Sequence, residues 1–81
     1  MHELSIALSI LDVAEEEMQR HPGARLDVIN LRLGKLSGVV KEALAGAYEL
    51  AREPSPFPLA RLVIEEVNGN ELQIASLELE E

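Results

Sequence analysis

The chain opens Met1-His2-Glu3, and these three residues carry most of the metal-donor chemistry the sequence offers. A free α-amine on Met1, the amide nitrogen between residues 1 and 2, and the imidazole of His2 close adjacent chelate rings around one ion. Once the amides deprotonate, the nitrogens are nearly coplanar. The amide of Glu3 completes the plane, and its carboxylate stands by as a base or an axial donor. A coplanar nitrogen set selects an ion with a square-planar or tetragonal preference, Ni(II) or Cu(II), over tetrahedral zinc. The bulk of His2 protects the initiator methionine from removal, so Met1 supplies the amine. Position alone is a weak signal, because a histidine near a chain end is more often a solvated, frayed residue.

Elsewhere the sequence excludes more than it offers. Cysteine is absent, which removes disulfides, thiolate catalysis and cysteine-ligated zinc. His21 stands in a Pro-Gly turn and reads as a helix-terminal surface residue. The serines have no evident base, and Gly34 to Gly38 lacks the Lys-Ser/Thr ending of a phosphate loop. No acid–base or nucleophilic constellation is visible, so an enzyme is not expected. A net charge of −8, from 15 acidic and 7 basic residues, argues against tracking nucleic-acid phosphates or an anionic membrane. No stretch approaches the ~20 apolar residues of a membrane span, and no signal peptide is evident, so a cytoplasmic location is expected.

The elements that must position the terminus follow from apolar spacing. The 81 residues are 47% apolar with two aromatics, Tyr48 and Phe57, which predicts one domain with an aliphatic core. Leu4, Leu8, Leu11 and Met18, beside Ala7 and Ala14, recur at helical spacing, and Ile6, Ile10 and Val13 widen the face. His21-Pro22-Gly23 ends that helix, with Gly23 free to turn left-handed. Leu26 to Leu33 alternates as a strand, with Ile29, Leu31 and Leu33 on its apolar side. Gly34 and Gly38 bracket a loop in which Ser37 is placed to cap a second helix. Val40, Ala43, Leu44, Ala47, Leu50 and Ala51 form that helix's apolar face, before the prolines at 54, 56 and 58 stop it.

Arg61 to Val67 is a second strand, and Asn68-Gly69 predicts a type I′ hairpin into a third, Glu71 to Leu79. Leu72 and Ile74 share one parity while Leu77 and Leu79 share the other, so a β-bulge near Ala75-Ser76 is required to keep one buried face. A right-handed crossover makes the first two strands parallel. The expected fold is α+β (or an open α/β sandwich). Two helices pack on one face of a small mixed three-stranded sheet, in the order α-β-α-β-β, with the third strand beside the second.

Taken together, Met1-His2-Glu3-Leu4-Ser5 running into a helix, Leu31-Arg32-Leu33-Gly34-Lys35-Leu36-Ser37-Gly38-Val39, and the Glu42-Ala43-Leu44 helix resemble the HypA family of hydrogenase nickel-incorporation proteins. Ala60 to Val67 resembles the strand before that family's zinc domain, and Asn70 to Glu80 the strand after it, so the resemblance covers nearly the whole chain. It implies a metallochaperone that carries nickel for [NiFe]-hydrogenase maturation, and in some bacteria for urease. The implied partners are a HypB-like GTPase and the hydrogenase large subunit. Met1, His2 and Glu3 become the implied nickel site, with His2 indispensable.

One departure is large. The family inserts a zinc ribbon with two Cys-x-x-Cys pairs between the second and third strands, whereas here Asn68-Gly69-Asn70 joins them and no cysteine remains. Residues 1–81 are therefore expected to form a single nickel-binding domain without zinc, whether by natural variation or by deletion, as a monomer or a weak dimer. The competing expectation is a small α+β protein-interaction module with little metal affinity of its own.

Overall fold

A computed structural model describes residues 2–81, and Met1 lies outside the described residues. The elements come in the expected order: α1 (Glu3–Met18), β1 (Arg25–Gly34), α2 (Lys41–Arg52), β2 (Arg61–Val67) and β3 (Leu72–Glu80). The helices pack against each other and, with the inner face of the sheet, enclose an apolar core. Ala7, Ile10, Leu11 and Ala14 come from α1, Leu26, Ile29 and Leu31 from β1, and Leu44, Tyr48 and Ala51 from α2.

The sheet order differs from the expectation. It is β2-β1-β3, with β1 parallel to β2 and antiparallel to β3. The Asn68-Gly69 hairpin is therefore not formed. A type I′ turn needs positive φ at both central residues, and only Gly23 and Gly38 have positive φ among the described residues. The connection instead crosses the C-terminal end of β1. Three successive amides of that end hold it: Gly34 donates to the Glu71 carbonyl (2.7 Å), Lys35 to Val67 (2.8 Å) and Leu36 to Gly69 (2.7 Å).

Burial explains the choice. The most apolar strand is β1, whose Leu26, Val28, Ile29, Leu31 and Leu33 are all buried. Placing β1 in the middle satisfies both of its edges and leaves the charge-bearing β2 and β3 outside, where edge strands are best tolerated.

The bulge demanded by the parity of β3 is present: Asn30 faces Ser76 but Leu31 faces Ile74, so Ala75 is the extra residue. Ile74, Leu77 and Leu79 consequently share the core side. A second irregularity, at Asp27, is not signalled in the sequence. It brings Leu26 onto the same side as Ile29, opposite Leu79.

Three further details correct the reading of the chain. Ser37 does not cap α2, whose N-cap is Val40; the Ser37 hydroxyl accepts the Val39 amide at 3.2 Å instead. The core is not purely aliphatic, since Tyr48 is wholly buried in it. Leu4, Leu8, Val13, Val40 and Leu50 are exposed rather than covered, because the helices bury only the stripes that face each other and the sheet.

Candidate metal centre

His2 is the residue that leads into α1. Its backbone is non-helical (φ −126°, ψ 38°), its side chain makes no capping hydrogen bond, and the residue is exposed. Its carbonyl accepts the Ile6 amide at 2.9 Å, the first rung of the helix. The first amides of a helix have no carbonyl partner within it. The imidazole of His2 and the amide nitrogens of His2 and Glu3 are thus not consumed by folding. Glu3 sits in the first turn, half-buried, with its carboxylate on the helix's acidic-favouring end.

Electrostatics favour negative charge at this end. The aligned peptide dipoles of α1 place the equivalent of about half a positive charge at its N-terminus. Deprotonated amides are anionic ligands, so this end of a 16-residue helix stabilises the form of the chain that a nitrogen-rich metal site requires. His2 and Glu3 are brought together by adjacency on this end, and the third residue of the set, Met1, lies outside the described residues. Among the described residues no three His, Asp or Glu side chains gather closely enough to hold an ion. An ion bound by side chains alone has no site there, whereas main-chain nitrogen is available.

His21 lies beyond the other end of α1, about 25 Å away at 1.5 Å per residue, so the two histidines do not share an ion. Its Nε2 is 3.4 Å from Glu17 Oε2, and Glu17 also accepts from Arg20 at 2.7 Å. The helix-terminal surface reading of His21 stands.

A groove of about 520 Å³ runs beside the terminus. Ser5, Ser9 and Val13 of α1 form one wall, and Leu72, Gln73 and Ile74 of β3 the other. Ser5 is one helical turn from His2. The groove is hidden by the expectation that β3 lies beside β2; the available signal was the pair of small residues, Ser5 and Ser9, four apart on an otherwise apolar helix. No helix among the described residues is long and apolar enough to cross a membrane.

Residues 1–72 match the model of the family described as "Hydrogenase/urease nickel incorporation, metallochaperone, hypA". The hydrogenase maturation factor HypA of Deinococcus radiodurans is 46% identical over 69 residues, covering 85% of this chain and 58% of that protein. HypA of Roseiflexus sp. is 49% identical over 67 residues, 83% of this chain and 54% of the relative. The chain thus spans little more than half the length of these curated relatives. Among solved structures, the solution structure of the Ni metallochaperone HypA from Helicobacter pylori superposes with a TM-score of 0.85 at 21% identity, over 98% of this chain and 97% of that one. That likeness speaks to the fold.

Proposed function

The chain belongs to the HypA family of hydrogenase/urease nickel-incorporation metallochaperones, and on that footing we propose that it is a nickel-carrying domain whose ion is held by Met1, His2 and Glu3. It is a carrier, not an enzyme. Nickel is its cargo, taken up by the terminal amine, the amide nitrogens of residues 2 and 3 and the His2 imidazole. Zinc has no cysteine ligands here. Delivery would run to the large subunit of a [NiFe]-hydrogenase with a HypB-like GTPase, and the same chemistry serves urease maturation.

The observation that supports this reading most directly is the N-terminus of α1. An exposed His2 without a structural hydrogen bond stands beside amides outside the helical ladder, at the positive end of the helix dipole. Ligation removes protons from amine, amide and imidazole, so binding is pH-dependent.

The test is a Ni(II) titration, followed by calorimetry and by the d–d absorption of square-planar nickel. It compares the chain with its authentic Met1 amine, the His2→Ala variant, and a chain extended by two residues before Met1. One equivalent is expected to bind the authentic chain, with both altered chains weakened at least tenfold. Binding is also expected to fall off below about pH 6, as the nitrogen donors hold their protons. Equal binding by all three chains would mean that the terminus is not the site. The domain would then be an interaction module.

A further inference from the structure

The apolar wall that β3 offers is only partly used. Ile74, Leu77 and Leu79 face the core side, yet all three are only partly buried, and Leu72 is exposed. Two adjoining cavities follow this wall. The first runs from Ser5 to Val13, and the second, of about 460 Å³, continues from Val13 to Glu17 and His21 along Ile74, Leu77 and Leu79. The groove therefore runs the length of β3, from one turn below His2 to the far end of α1.

Its floor is bounded by an open sheet edge. β3 pairs only with β1 among the described residues, so its alternate N–H and C=O groups point outward unpaired. Such an edge is a template for an added strand. On the opposite wall Ser5 and Ser9 are small, which leaves depth for side chains arriving from a strand on that edge.

Charge decides what the occupant is. No lysine or arginine lines either cavity, and Glu17 is the carboxylate in the lining. Glu16 lies on the same side of α1 as Ser5 and Ser9 by helical spacing, and Glu78 and Glu80 stand on β3. A second copy would bring another net charge of −8 to this edge, and like charges side by side are unfavourable. We propose that the α1/β3 groove is a docking site for an extended, basic segment of a partner protein, which adds to the outer edge of β3 as a fourth strand. Its alternate apolar side chains fill the groove, its basic ones meet the glutamates, and one end of it arrives beside His2.

The probe is a fluorescein-labelled nonapeptide alternating lysine and valine, titrated by anisotropy without any metal, so its result is independent of the nickel site. An acidic version with glutamate for lysine and a version of the same composition re-ordered to helical spacing serve as comparisons. The alternating basic peptide is expected to bind at least ten times tighter than either. Ser9→Arg and Val13→Lys place cations in the groove and are expected to weaken it at least tenfold. Both positions are on the solvent side of α1, with Val13 52% exposed, and far-UV circular dichroism checks that the helix is kept. Leu50→Lys, on α2 and 74% exposed, is expected to leave binding unchanged. Amide exchange is expected to slow at residues 72–80. Tighter binding of the helical or acidic peptide, indifference to Ser9→Arg and Val13→Lys, or protection at residues 61–67 instead would each overturn the proposal. So would a concentration-dependent dimer, seen by sedimentation, that Ser9→Arg dissociates.

Discussion

Tyr48 shows how one polar atom is accommodated in a core this small. Its ring is fully buried, and its hydroxyl donates to the Ala60 carbonyl at 2.8 Å, an oxygen that also accepts from Arg52 Nη1 at 3.0 Å. The pair ties α2 to the residue before β2 after the proline-rich connection. Removing the hydroxyl leaves the carbonyl with Arg52, so Tyr48→Phe is expected to cost only about 1 kcal/mol at neutral pH, read by urea unfolding. Burial disfavours the phenolate most, with Arg52 opposing and Glu49 assisting, and the pKa rises from 10.0 to about 12. Between those values the unfolded chain gives up the proton while the folded one keeps it. The preference for the neutral phenol thus stabilises the fold fully below pH 10 and is lost as pH climbs to 12. Over that window the wild type is expected to lose about 2 to 3 kcal/mol more than Tyr48→Phe. Parallel pH curves for the two proteins would contradict the buried phenol.

At the scale of elements, two glycines of similar appearance in the sequence have opposite roles. A Cβ at Gly34 would run into the carbonyl of Gly69 and come within 2.6 Å of the Glu71 amide nitrogen, all backbone, whereas one at Gly46 meets nothing within 4 Å. Gly34→Ala is therefore expected to destabilise by about 2 to 4 kcal/mol, because the crossing segment has to move off the end of β1. Gly46→Ala, exposed within α2, is expected to stabilise by about 0.5 to 1 kcal/mol. Thermal or urea unfolding of the two variants measures both. The contrast also marks what the sequence made legible. Helical and alternating spacing located all five elements, and the parity slip in β3 located its bulge, since these are local consequences of burying one face. Strand order was not legible. It depends on which edges β1 satisfies, a non-local choice, and the local Asn-Gly preference pointed to a hairpin that the tertiary arrangement overrode. Tyr48 was passed over because its hydroxyl partner, Ala60, lies twelve residues on. The terminal donors were legible as chemistry, but the freedom of their amides required knowing where α1 begins.

For the whole molecule, the important geometry is the link from β2 to β3. The strands flank β1, so their facing ends are separated by two inter-strand spacings, about 10 Å. The four residues Asn68 to Glu71 reach at most about 14 Å when extended. The link is close to the shortest that can make the crossing, and it is held by the amides of residues 34–36. Both of its ends are fixed by the sheet and not by each other, as they would be in a hairpin. A longer insertion at this point is therefore compatible with the same sheet, in a family whose members matched above are nearly twice as long. Shortening and lengthening should then be unequal. Deleting Gly69 is expected to detach β3 and unfold the domain. Inserting eight glycine and serine residues after Gly69 sacrifices one or two of the three backbone hydrogen bonds and adds a small closure entropy, about 1 to 3 kcal/mol together. Urea unfolding measures both changes, and the nickel titration of the inserted chain should match the parent, because α1 and its terminus do not touch the link. An insertion that abolished folding would mean that β3 depends on a tight turn after all.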